Sequence, residues 1–462
     1  MVKYNELFKN SYSISKTFIK KIKNLLGIIA IMILSLFKRN HYFNTYNNKN
    51  NKIDILFISH FLNKSQIQNK EEFYFGNIPN QLTEKNYRSL IALINQSGSE
   101  CDYISSKWKN NNKVPRIILS KTIGFVNEFK ILLRLIKESK RLKIEINKEN
   151  NKFQKKVLSM ASNECLSNRS MINLRIAFQI KILVKKFNPK YLIITHEGHS
   201  FERIIFSYAR EVNKEIKCIG YQHANVFRLQ HAICRNLKFQ YNPDVVFTSG
   251  TNGKSKLKKS KKLNKIFIEM IGSNRSFNKN YIKYKKNKNI TLQKQTCLVI
   301  PEGLLSECFI LFDFSLNCAK LFPNIKFIWR LHPGIDFDIH IKNKYHNKLP
   351  RNIIISKQTL EKDFSSSNWA LYRGTTTIIQ ALISGIKPIY LKIPFEINID
   401  PLHKLKNWHA VTSDANDFGN IINNFNLSKK WKYKNWNIAK KYCCNFYEPL
   451  NINKLTRIIN KI

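Results

Sequence analysis

Arg330 and His332 stand directly after an apolar run, Ile325 to Trp329, and Pro333-Gly334 closes the segment. In an open α/β sheet, ligands bind just beyond the carboxyl ends of the strands. A guanidinium and an imidazole delivered to that rim suit a phosphate. A second apolar run, Trp369 to Tyr372, ends in Arg373-Gly374-Thr375-Thr376-Thr377 and then opens a helix. Glycine lets backbone approach an anion closely, threonine hydroxyls add donors, and a helix start presents free N–H groups. A third run, Cys297 to Ile300, ends in Pro301-Glu302-Gly303. Taken singly, Thr375 is also a helix N-cap and His332-Pro333 also a turn; together, at neighbouring strand ends, they favour an anion site.

The N-terminal half offers different chemistry. Glu197-Gly198 follows the run Tyr191 to Thr195. A carboxylate at a strand end is placed to act as general base on an acceptor hydroxyl. His196, His199 and Glu202 are its neighbours, and His60 and His223 close two further strands. His60, His196, Glu202 and His223 are therefore candidate acceptor-side residues. Glu202 also suits an ion pair, and His199 a capping or solvated role. The phosphate-binding signatures G-x-G-x-x-G and G-x-x-x-x-G-K-[ST] are absent, so a nicotinamide or P-loop reading lacks its signature. Asp336-Phe337-Asp338 has a D-x-D form common by chance, and no metal ligands are assigned.

These residues need strands to deliver them. The pattern predicts strands at Ile53 to Ser59, Tyr191 to Thr195, Lys217 to Tyr221, Asp244 to Thr248 and Lys265 to Ile271. Helical stretches are predicted at Lys85 to Ile94, at Phe125 to Lys143, near 152–162 and at Met171 to Phe187, the last stopped by Asn188-Pro189. A second alternation starts at Cys297 and runs to Lys387 to Leu391. Repeated helix–strand alternation implies parallel, doubly wound sheets. The domain reading is a basic N-terminal extension 1–51, an N-terminal Rossmann-like domain 52–275, a Lys/Asn-rich linker 276–295, a C-terminal Rossmann-like domain 296–416 and a polar helical tail 417–462.

The chain has 462 residues and a formal net charge of +49, with 43% hydrophobic residues. Lysine is spread through loops and helix faces instead of gathered in a block, so charge alone does not make a nucleic-acid binder. No nucleic acid is expected as a partner; an anionic membrane surface suits the charge. Leu25 to Phe37 is apolar and flanked by lysines and Arg39. It is shorter than the ~20 residues of a spanning helix and reads as a segment lying on a membrane or as a buried helix. The 9 cysteines show no C-x-x-C spacing and read as reduced thiols of a cytoplasmic protein.

Several blocks resemble one family: FYFGNIP, THEGHSFER, GYQHA, VIPEGLLSEC, RLHPG, LYRGTTTIIQAL and IDPL, across about 52–410. They are similar to bacterial surface-carbohydrate (O-antigen and capsule) biosynthesis proteins of the GT-B glycosyltransferase fold, in particular the CMP-sugar-dependent sialyl- and polysialyltransferase type. The resemblance implies two doubly wound Rossmann-type domains facing a cleft. It implies a CMP-linked nucleotide sugar as co-substrate with no other cofactor, a glycan or lipid-linked glycan acceptor, and a peripheral place at the cytoplasmic side of the inner membrane. Glu197-Gly198 matches the family's acidic-acidic-Gly base motif, with His196 in place of the leading acid. His332-Pro333 matches its His-Pro motif and Thr375-Thr376 its paired Ser/Thr motif. The implied roles are Glu197 and His332 in catalysis, with Arg330, Pro333, Arg373, Gly374, Thr375, Thr376, Thr377, Glu302 and Gly303 on the donor. A nucleotide-sugar epimerase shares the two-domain fold, a glycerol-phosphate polymerase of the teichoic-acid type resembles the His-Pro and Ser/Thr pattern, and a basic membrane- or nucleic-acid-associated binding protein without catalysis is the non-enzyme alternative.

Overall fold

The apolar runs pair into two sheets. The computed structural model describes residues 14–37, 42–44, 52–108, 113–229, 232–276, 295–332, 335, 340–345, 349–424 and 429–462. The first sheet contains β1 (Tyr42–Asn44), β2 (Ile55–Phe61), β3 (Ser89–Asn95), β4 (Arg116–Leu119), β5 (Tyr191–Thr195), β6 (Lys217–Gln222), β7 (Val245–Thr248) and β8 (Phe267–Met270). Its order is β1-β4-β3-β2-β5-β6-β7-β8. β2 pairs in parallel with β3 and β5, β3 with β4 and β7 with β8, whereas β1 runs antiparallel to β4 at the edge. The second sheet contains β9 (Gln295–Ile300), β10 (Ile325–Trp329), β11 (Ile353–Ile355), β12 (Trp369–Tyr372), β13 (Lys387–Leu391) and β14 (Ala410–Thr412). Its order is β11-β10-β9-β12-β13-β14, and every pair is parallel.

Both sheets reverse direction once. From β2 the chain steps to β3 and β4 on one side, then returns to place β5 on the other side. From β9 it steps to β10 and β11, then returns to place β12 on the other side. Ligands of doubly wound sheets bind at such reversal points, outside the carboxyl ends of the strands. His60 and Glu197 flank the first reversal; Glu302 and Gly374 flank the second.

The helices used below are α1 (Ile14–Phe37), α2 (Phe125–Lys148), α3 (Asn168–Phe187), α4 (Ser200–Val212), α5 (Thr251–Lys258), α6 (Leu305–Leu321), α7 (Leu360–Ser366), α8 (Thr377–Ile383), α9 (Lys429–Cys444) and α10 (Ile452–Ile459). Two buried groups pin α2 and α3 together. Arg175 and Glu128 form a bidentate pair at 2.5 and 3.0 Å, almost wholly shielded from solvent. α1 seats Ile28 and Met32 in the core of the first sheet. Its opposite face leaves Leu25, Leu26, Ile29, Ile33, Leu36 and Phe37 exposed. Among the described residues, no helix is long and apolar enough to cross a membrane.

Three departures from the sequence reading have physical causes. Lys85 to Ile94 is not a helix: Asn86, at φ 67°, ends the preceding helix, and Ser89–Asn95 is strand β3. Ser89 through Ile94 are buried, and a strand covered on both faces loses the alternation that would distinguish it. β1, β4 and β14 were too short to register as runs. The C-terminal helices carry core residues beneath their polar surface: Trp436, Cys443, Phe446 and Tyr447 are buried against α8 and β13 neighbours.

By density of contacts the chain divides into unit 1 (1–220 with 236–244) and unit 2 (221–235 with 245–462). This grouping differs from the domains read from sequence because the C-terminal segment bonds to the ends of β7 and β8. Glu448 N–H donates to Ser249 O at 2.9 Å, Ser273 N–H to Glu448 O at 2.8 Å and Asn451 N–H to Ile271 O at 2.8 Å. Most of the linker (277–294), most of 38–51, and Pro333, Asp336 and Asp338 lie outside the described residues.

Candidate functional site

Three strand ends converge in unit 2. Glu302 and Gly303 follow β9, Arg330 and His332 follow β10, and Arg373 to Thr375 follow β12. Glycine makes the convergence possible at two points. A Cβ at Gly303 would lie 3.0 Å from His332 Cε1, and a Cβ at Gly374 would lie 2.0 Å from Glu302 Oε1. The His332 ring therefore rests on the Gly303 backbone, and the Glu302 carboxylate lies across Gly374. His332 keeps an exposed edge, yet the protein packed around its ring holds its pKa below the ordinary imidazole value. It is neutral at physiological pH, able to donate from one nitrogen and accept at the other.

The two arginines have partners that the sequence did not reveal. Arg330 Nη1 donates to Asp363 Oδ2 at 2.6 Å and to the Gln358 carbonyl at 2.9 Å. Asp363, on α7, also accepts from Ser356 Oγ. Arg330 thus ties β10 to α7. Arg373 is buried at 3% exposure, with Nε 3.2 Å from Glu307 and Nη2 paired to Glu396. Its Nη1 has no hydrogen-bond partner. Burial, then the neighbouring Glu307, raise the Glu302 pKa, while the Gly374 amide and Arg373 oppose the shift. Glu307 and Glu396 are thus site residues that the sequence reading left out; Glu307 sits in the block VIPEGLLSEC, where a second acid five residues beyond Glu302 was a usable signal. Thr375 is buried and accepts from Thr377 N–H at 3.3 Å; Thr376 and Thr377 are half-buried at the start of α8.

Unit 1 gathers a second group at its own sheet reversal. Glu202 is 1% exposed and accepts the N–H groups of Glu197, Gly198 and His199 at 3.1, 2.7 and 3.0 Å, together with His196 Nδ1 at 2.8 Å. A carboxylate at the first turn that takes up free N–H groups is a cap. Glu202 and the buried His196 therefore shape the β5–α4 turn. Glu197 is half-buried, with its Oε2 3.6 Å from His199 Nε2. The Glu197 carboxylate beside it raises the His199 pKa, against the opposing effect of burial. His60 lies edge-on to Tyr74 and Phe201, at 5.9 and 5.7 Å between centroids. Burial pushes its pKa down to about 4, although Glu202 and Glu197 pull the other way. The structure brings Glu197, His199 and His60 together. His223 is buried, within unit 2.

Among the described residues, no group of three His, Cys, Asp or Glu side chains is arranged to hold a metal ion. No protein-family model matches the chain, and no curated relative matches it. Solved structures do. The glycotransferase of kitacinnamycin superposes with a TM-score of 0.50 at 9% identity, over 89% of this chain and 99% of that one. A glycosyltransferase from Rickettsia africae superposes with a TM-score of 0.50 at 14% identity, over 90% and 99%. The fold is GT-B-like. A protein of Listeria monocytogenes assigned as a UDP-N-acetylglucosamine 2-epimerase gives the same TM-score, 0.50, at 10% identity over 88% and 96%. At such identities the likeness is one of fold, and function rests on the sites.

Proposed function

We propose that this chain is a glycosyltransferase that moves a sugar from a nucleotide-sugar donor to a surface-polysaccharide acceptor. The observation that carries the reading is the convergence of His332, Glu302 and Thr375 from three strand ends at the reversal point of the second sheet. A neutral imidazole, threonine hydroxyls and the unpartnered Arg373 Nη1 are donors that suit a departing phosphate, so the reading calls for no metal ion. Glu302, inclined to hold its proton, suits a hydroxyl of the donor's ribose or sugar. Proton removal from the acceptor is assigned to Glu197, half-buried beside His199 at the end of β5, because Glu202 is occupied as a cap. Arg330 acts at one remove, holding the β10 end through Asp363.

The CMP type of donor follows from the family resemblance of His332-Pro333 and Thr375-Thr376. Membrane association is supported by the apolar outer face of α1 and by the basic charge of the chain. An epimerase is the second reading, favoured by the fold likeness to the Listeria protein. The test is a product assay with CMP- and UDP-linked sugars, with and without an oligosaccharide acceptor. Transfer requires the acceptor; epimerisation proceeds without it and would overturn the first reading.

A further inference from the structure

A cavity of about 260 Å³ lies within unit 2, away from the strand-end residues described above. Arg228, Lys256, Lys259, His403 and Lys404 line it, and no Asp or Glu is among its lining residues. Its cations sense one another: Lys404 opposes protonation of Lys256, and both lysines oppose protonation of His403. Burial pushes the Lys256 amine down to about 8, with Cys234 opposing the shift and Lys404 adding to it. Lys256 also donates to the Val226 carbonyl at 2.9 Å and to that of Phe227, which fixes the loop after β6 as one wall. Packing like charges around one space costs free energy unless an anion neutralises them.

A second observation points the same way. Asn225 lines the cavity and is 6% exposed, yet its Nδ2 has no hydrogen-bond partner. Buried amides are nearly always bonded, and an orphan of this kind calls for a missing ligand or water. Val226, Pro401 and Phe446 add apolar surface, with Phe446 edge-on to Tyr442 at 5.2 Å, and Asn252 and Ser255 add neutral polar groups. Sites for drug-sized ligands span roughly 300–1,000 Å³, so this space suits a smaller group. We propose that the cavity is a binding site for the diphosphate group of an organic diphosphate, with Arg228, Lys259 and Lys404 on its charge and Asn225 on a phosphate oxygen. The inference uses none of the strand-end residues and stands or falls independently of the proposed transferase reading.

The test is calorimetric titration of the full chain with inorganic pyrophosphate, a prenyl diphosphate, CDP and UDP, in the natural protein, His332→Ala, and Arg228→Ala/Lys404→Ala. Both residues of the double variant are exposed, and a thermal melt checks that it folds. Pyrophosphate is expected to bind the natural protein and His332→Ala equally, and to bind the double variant at least about tenfold more weakly. Read in His332→Ala, a tighter prenyl diphosphate identifies an apolar alcohol as the source of the group, and a tighter nucleotide identifies a nucleoside. No pyrophosphate binding, binding lost in His332→Ala, or equal affinity in the double variant would each overturn the site.

Discussion

Glu302 Oε1 occupies the place where a side chain of residue 374 would begin, 2.0 Å from the ideal Cβ position of Gly374. The carboxylate and the end of β12 therefore share one space, and the site depends on residue 374 having no side chain.

That crowding has an opposite effect on stability and activity. Burial and Glu307 raise the Glu302 pKa above its ordinary 4.5. The folded chain retains a proton that the unfolded chain releases, so stability falls as pH climbs from 4.5 through the raised value. Glu302→Gln should raise the melting temperature at pH 7 to 8, leave it unchanged near pH 4, and cost at least about tenfold in kcat/KM. Thermal melts across pH and steady-state kinetics check both halves. Gly374→Ala should lose activity and stability together.

His60 gives the reverse pH dependence. Its pKa of about 4 lies below the ordinary 6.5. Between pH 6.5 and 4 the unfolded chain takes up a proton that the folded chain refuses, and up to about 3 kcal/mol of stability is lost. His60→Phe, which suits the aromatic contacts with Tyr74 and Phe201, should flatten this part of the stability profile. Denaturant titrations at pH 7 and pH 4.5 measure the difference.

The two glutamates of the β5–α4 turn should separate cleanly. Glu197→Gln should leave the melting temperature nearly unchanged and reduce kcat by about a hundredfold or more, as expected for a general base. Glu202→Gln should instead destabilise the fold by about 1–3 kcal/mol, because the amide replaces a buried acceptor of three N–H groups. Full activity in Glu197→Gln would remove it from the reaction.

Much of this arrangement was legible in the sequence. Strand-end positions are marked by apolar runs that stop at glycine, proline or charge, and β5, β12 and β13 follow that rule. The location of Glu197, His332, Glu302 and Arg373 could be read for the same reason. What could not be read was the partner of each charge. Arg330 and Asp363 are far apart in sequence, and only the packing of α7 under β10 joins them. Glu197 and Glu202 are both acids near one turn; their different roles come from which of them the N–H groups face. β3 was hidden because burial on both faces erases period.

The outer face of α1 should bind anionic vesicles. Leu26→Glu/Ile33→Glu, on exposed positions, should shift most of the protein from the pelleted to the soluble fraction without changing its melting temperature. Ile28→Glu, directed into the core, should lower the melting temperature instead.

The central claim is that the strand ends of the second sheet hold a nucleotide through its phosphate. It is tested most directly by titrating CMP, CDP, UDP and GDP into the natural protein and into His332→Ala/Thr375→Val. The account predicts one preferred nucleotide, with affinity falling at least about a hundredfold in the double variant, which a thermal melt shows to be folded. Binding of none of the four, or equal affinity in both proteins, would contradict it.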